Sequence, residues 1–318
     1  VWKLLRSLRP SLAVGDEAVR TTLSTFVPVL LGRGSVQLSS FLDQLLASYL
    51  GPTIVAALGY AQVLATLPVS LFGMAVSAAA LPEMASATAH PEEVGSALRE
   101  QLRKNLRQVV FLVVPSAVAF LAIGNTLIAL LFETGRFEAR DTTAVWIMLA
   151  GSAVGLVAGT MGRLLASAFY ALGAPRPPLH AALVRVALTF VAGLAAVFPL
   201  RAALGYDARW AAFGLTASAG VAAWIELALL RRWLAQRIGE VPIPTQLQLG
   251  CLAAAALAGA LAAASWALLH QVLPLDVPRW MAMAIAPPLF GAVYLAVMIA
   301  AKVPEADGLR RRLLRRRR

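Results

Sequence analysis

The stretch AVWIMLAGSAVGLVAGTMGRLLASAFYA occupies residues 144–171 and contains a single charge, Arg163. As a helix rising 1.5 Å per residue it would reach roughly 40 Å, enough to cross the ~30 Å hydrocarbon layer of a bilayer. Its glycines Gly151, Gly155, Gly159 and Gly162 lie three or four apart. On a helix they form one stripe, a spacing that lets helices approach closely in lipid. The segment reads as a transmembrane helix with a packing stripe, or a sliding surface, along one side.

Comparable apolar runs lie on both sides of it. Together they divide the chain into eight spans, at roughly 22–49, 54–81, 106–132, 144–171, 179–200, 210–230, 247–270 and 280–302. The 318 residues are 59% hydrophobic and only 14% charged, with a mean hydropathy of +0.74. A soluble domain carries about 25% charged residues, so the expected fold class is an all-α integral membrane protein. The longest link predicts an amphipathic surface helix over 92–107, opened by Glu92 and Glu93. Pro28, Pro68, Pro115, Pro287 and Pro288 fall inside spans and are expected to kink or loosen their helices.

The net charge of +12 does not point to nucleic acid, because the cations sit between spans and in a basic tail, Arg310 to Arg318. Alternate links and the two ends divide 20 Lys and Arg against 5. By the positive-inside rule both termini are cytoplasmic, with the tail against anionic lipid. The lone Cys251 allows no disulfide within the chain.

Five charged residues fall within spans more than two residues from either end: Arg33, Asp43, Arg163, Arg185 and Glu226. Each costs at least about 2.5–3.5 kcal/mol at a helix centre unless it pairs, snorkels or meets water. Arg185 and Glu226 stand at similar depth on consecutive antiparallel helices, which predicts a structural ion pair. Arg33 and Arg163 are candidates for a water-filled, anion-attracting cavity. Asp43 is a candidate for a coupling ion or a structural hydrogen bond. Gln62 adds hydrogen-bonding capacity beside them.

Enzyme chemistry lacks its residues. His90, His180 and His270 are isolated, and no zinc spacing, phosphate loop, nucleophile elbow or paired intramembrane carboxylates occur. No metal or cofactor is expected. A non-transporting membrane scaffold remains the rival reading.

Four stretches then carry a resemblance. Tyr60-Ala61-Gln62, with Leu67-Pro68-Val69-Ser70-Leu71-Phe72-Gly73-Met74-Ala75-Val76-Ser77 and Leu81-Pro82, resembles the eighth helix of the MurJ (MviN) family of lipid II flippases. Leu130-Leu131-Phe132-Glu133-Thr134-Gly135-Arg136-Phe137 resembles the family's Leu-Phe-x-x-Gly-x-Phe segment. Ala168-Phe169-Tyr170-Ala171-Leu172-Gly173, with Arg176 and Pro178, resembles its Phe-Tyr-Ala-Leu-Gly turn. Asp43-Gln44-Leu45-Leu46-Ala47-Ser48 is similar to its seventh helix.

The resemblance implies a MOP-superfamily exporter of fourteen helices, of which this chain matches the seventh onward. Residues 1–235 would be the second six-helix lobe, 236–303 two additional C-terminal helices and 304–318 a basic cytoplasmic tail. The first lobe would be missing, and since the chain opens on Val1 rather than Met, a fragment is the expectation. The implied function is alternating-access movement of a polyprenyl-diphosphate-linked saccharide, lipid II, from the cytoplasmic to the outer leaflet of the bacterial inner membrane. Its energy would come from a sodium ion or the membrane potential. The nearest rival substrate is another polyprenyl-linked oligosaccharide.

Two departures stand out. Gln62 and Val63 occupy places where the family often has Asp and a cavity-facing Arg. Asp43 matches an acidic position of the sodium site in some relatives, but the eleventh-helix positions that would complete it are Thr189 and Gly193. Arg163 aligns with a basic position of the tenth helix.

Overall fold

The computed structural model describes residues 17–70, 94–272 and 284–307. These residues form helices and short links, with no strand among them. In chain order the helices are α1 (Glu17–Ser48), α2 (Pro52–Pro68), α3 (Val94–Ala122), α4 (Gly124–Phe132), α5 (Ala139–Ala171), α6 (Arg176–Val197), α7 (Pro199–Leu204), α8 (Ala208–Ile238), α9 (Thr245–Val272) and α10 (Ala286–Ala300). Five stretches are long and apolar enough to span a bilayer: Gly95–Ala122, Ala139–Ala171, Arg176–Leu204, Ala208–Ile238 and Thr245–Ser265. Several expected features lie outside the described residues: the second half of the span 54–81, Glu92 and Glu93, the start of the span 280–302, and the tail from 308 onward.

Two expectations about helix boundaries are corrected. The surface helix expected over 92–107 is not a separate element, since α3 runs unbroken from Val94 to Ala122. Leu98, Leu102 and Leu106 are fully buried and lead in phase into Val109, Val110, Val113 and Val114. One apolar stripe thus continues from the charged half into the span, with no breaker before Pro115. The span expected over 106–132 divides instead at Ile123, between α3 and α4. Pro287 and Pro288 do not kink a helix interior. They sit in the first turn of α10, where a missing N–H forfeits no helical bond.

α5 is the central helix, contacting α2, α3, α4 and above all α8. α6 packs on α8, and α1 packs mainly on α6. At the α5–α8 crossing a Cβ on Gly220 would lie 2.8 Å from the Gly155 backbone nitrogen, so the helices touch backbone to backbone. Gly151 is pressed likewise against the Phe213 carbonyl. The glycine stripe is only half used in this way: Gly159 has nothing within 4 Å of its Cβ position, and Gly162 only just reaches Leu230. Beside the crossing, Trp224 Nε1 donates to the Val154 carbonyl at 2.9 Å.

α9 and α10 pack on each other, and α9 also lies along α3. Tyr294 Oη donates to the Phe111 carbonyl at 2.7 Å. Arg107 donates twice to Glu305, at 2.6 and 3.1 Å. The outward surface is apolar, with Leu31, Phe41, Val191, Leu194, Leu249 and Leu257 exposed, as a lipid-facing bundle requires.

Candidate functional site

The ionisable residues of the spans gather on α1, α5, α6 and α8. Arg185 Nη1 on α6 lies 2.9 Å from Glu226 Oε2 on α8, with both side chains partly covered. Arg163 on α5 is close enough to this pair to feel both charges, and Arg185 likewise acts on Asp43 of α1. The four groups, two cations and two acids, form one electrostatic neighbourhood.

Within it the residues differ in what holds them. Arg163 is exposed, and its side chain takes part in none of the ion pairs among the described residues. It opens a stripe that continues through Ala166, Ser167 and Tyr170, all only partly covered, whereas the residues around the rest of that turn are buried. The most buried of the spanning helices thus carries an exposed arginine. Arg33 belongs to α1, but its side chain lies outside the described residues. Gln62 is half-buried on α2, next to the well-exposed Val63, and no side-chain hydrogen bond ties it to the charged group.

The level of Asp43 follows from two contacts between α1 and α6. A Cβ on Gly32 would lie 3.8 Å from Leu179 Cα, and one on Gly193 would lie 3.1 Å from Leu46 Cδ1. Both contacts join residues 147 apart in sequence, so the helices run parallel and in register. That register sets Asp43 level with Thr189 and Phe190. Among the described residues, Asp43 Oδ1 and Thr189 Oγ1 are both buried without a hydrogen-bond partner. A polar atom left so costs on the order of 1–3 kcal/mol. Both stand at one level on touching helices, and the donors they would offer a third group are oxygens.

The donor set limits that group. No cluster of three or more His, Cys, Asp or Glu exists among the described residues, so a transition-metal centre is not built there. One carboxylate and one hydroxyl suit a hard, oxygen-preferring cation.

A family profile described as "Lipid II flippase MurJ" matches residues 1–285. The chain belongs to the MurJ family. It is 31% identical over 240 residues to the lipid II flippase MurJ of Burkholderia cenocepacia, which covers 76% of this chain and 44% of that protein. It is 30% identical over 189 residues to the probable lipid II flippase MurJ of Rhizobium tropici, covering 59% of this chain and 34% of the relative. The fold is similar to a solved lipid II flippase MurJ in an inward closed conformation, with a TM-score of 0.68 at 17% identity. That match covers 95% of this chain and 59% of the solved one. The chain therefore spans less than half the length of the curated MurJ relatives named here.

One feature escaped the sequence reading. The segment Leu130 to Phe137 served there only as a mark of MurJ likeness, yet it walls a hollow of about 570 Å³ together with Thr53, Ala56 and Tyr60 of α2. The available signal was the clustering of Phe132, Arg136 and Phe137 at the end of α4 and in the link after it, but Tyr60 stands more than seventy residues away and only the fold joins them.

Proposed function

We propose that this chain forms the second lobe and the added C-terminal helices of a flippase that carries lipid II from the cytoplasmic to the outer leaflet of the inner membrane. The reaction is transport by alternating access, with no covalent chemistry. A first lobe on a preceding segment would complete the cavity, and both termini of this chain would face the cytoplasm. The observation that carries the reading is Arg163, an exposed arginine in none of the ion pairs among the described residues, on the most buried of the spanning helices. A cation so placed is stabilised by water and by an anion passing through it. A diphosphate head group is such an anion, while its lipid tail stays in the bilayer. Arg163 would then supply attraction that Val63 cannot.

Asp43 and Thr189 support coupling to a monovalent cation such as sodium. The ion would take up the two unpartnered oxygens, and the negative charge of Asp43 would balance it. Their level on α1 and α6 would let ion occupancy tighten or release the α1–α6 contact, which is how an ion gradient or the membrane potential would bias the alternation.

Depletion of a host's own flippase, with the full-length gene carrying this segment restored, tests the assignment. Lipid II exposed at the outer leaflet is the readout. The parent protein should restore exposure, and Arg163→Ala should lower it about tenfold or more at equal protein level, the loss of one charge-assisted contact. Unchanged exposure would remove Arg163 from the route and with it the flippase mechanism argued here.

A further inference from the structure

Tyr60 stands on the exposed stripe of α2 that runs Thr53, Ala56, Tyr60, Val63, Leu67. The hollow beside Thr53, Ala56 and Tyr60 opens at one end of this exposed face. At ~570 Å³ it falls within the range of small-molecule sites, roughly 300–1,000 Å³.

Its walls are of two kinds. The Tyr60 ring lies 4.9 Å from Phe132 and 5.4 Å from Phe137, centroid to centroid. Tyr60 remains 40% exposed, so a ring face is open to a visitor. The polar wall holds Thr53, Thr134, Arg136 and Asp141. Asp141 is already engaged, since its carboxylate accepts from the Glu138 backbone N–H at 3.0 Å as half of a capping box. Arg136 is exposed and takes part in none of the ion pairs among the described residues.

The link that carries Arg136 is tied down. Thr142 Oγ1 donates to Glu133 Oε2 at 3.0 Å, and the Phe137 N–H donates to the Thr134 carbonyl at 3.2 Å. Gly135 supplies the left-handed turn, at φ +62°, that a side chain would strain. The backbone that carries Arg136 is thus a fixed turn rather than a loose loop, and Arg136 lines the same hollow as the aromatic group.

Aromatic faces beside hydroxyls and one unpaired Arg suit a sugar ring that bears an anionic group. C–H bonds of the ring pack on aromatic faces, hydroxyls exchange hydrogen bonds with the threonines, and the anion meets the guanidinium. We propose that this hollow is a carbohydrate subsite for the head group, with Tyr60 as the platform and Arg136 as the anion partner. The inference rests on the flippase reading and adds a station to its route, at the end of α2 opposite Leu67.

Binding can be measured without transport. The 318-residue chain in lipid nanodiscs would be titrated with N-acetylglucosamine 1-phosphate, with neutral N-acetylglucosamine and with inorganic phosphate, read by ligand-observed saturation-transfer NMR. The sugar phosphate should bind about tenfold more tightly than either fragment. Arg136→Gln should bring it down to the neutral sugar, and Tyr60→Leu should weaken both sugars while leaving phosphate unchanged. Tyr60→Phe keeps the ring face and should bind both sugars nearly as the parent does, which separates lost stacking from a disturbed fold. Sugar phosphate and inorganic phosphate binding alike, or Arg136→Gln binding as the parent does, would overturn the subsite. A failure of the transport reading shows as unchanged lipid II exposure in Arg163→Ala, and a failure of the subsite as unchanged sugar phosphate binding in Arg136→Gln, so the two give different results.

Discussion

The two halves of α5 share one composition, small residues at three- and four-residue spacing, yet meet different surroundings. Around Gly151 and Gly155 the helix is pressed into the α8 backbone, and a side chain has no room. One or two turns on, Gly159 is buried but has nothing within 4 Å of its Cβ position, and Arg163 is exposed. The contrast separates a fixed seam from a working face on the same helix. Dispersion and backbone contact stabilise the seam, as they do for close helix crossings in lipid. Hydration and electrostatics matter at Arg163, where a charge on a largely apolar and buried stretch needs water or a partner.

The largest effect should come from the seam. Gly155→Val would force α5 from α8 at a backbone-to-backbone contact, destabilising the fold by about 3 kcal/mol. Thermal unfolding in detergent should show a lower midpoint and reduced yield. An unchanged midpoint would mean the two helices slide there rather than lock.

Next comes the ion pair that bridges the two regimes. Glu226→Ala leaves Arg185 without its partner. Because the Arg185 side chain is 30% exposed, the penalty should fall below that of a fully buried pair, at roughly 1–3 kcal/mol. Pairing it with Arg185→Ala in a double-mutant cycle should recover part of the loss. Simple additivity of the two variants would show that the contact contributes nothing of its own.

The smallest effect sharpens the comparison. Gly159→Ala should change stability by less than about 1 kcal/mol, the sign set by helix propensity rather than by crowding. A drop as large as that of Gly155→Val would mean that another element closes on this face during the transport cycle.

Much of this architecture could be read directly. Hydropathy located the apolar segments because a lipid-spanning helix must be apolar over most of its length, and Arg163 stood out because a charge there is expensive. The resemblance rested on ordered matches from Asp43 to Pro178, and the profile match over 1–285 places the chain in that family. Helix ends were less legible. The start of α3 was read as a separate surface helix because its charged face dominates the composition. What decides continuity is the phase of Leu98, Leu102 and Leu106 with the span that follows. Pro287 and Pro288 were placed inside a helix because apolar composition says nothing about where the first turn begins.

The sequence by itself determined the medium and the cast: an apolar helical chain for lipid, with a few charges that lipid tolerates only in company or in water. Tertiary structure alone decided which of those charges found company. Helix phase and register put Arg185 on Glu226, left Arg163 outside every ion pair among the described residues, set Asp43 level with Thr189, and brought Tyr60 against Phe132 and Phe137. Hydropathy is a property of each residue summed along the chain. A contact depends on the rotation and offset of two helices far apart in sequence, and no local pattern encodes either.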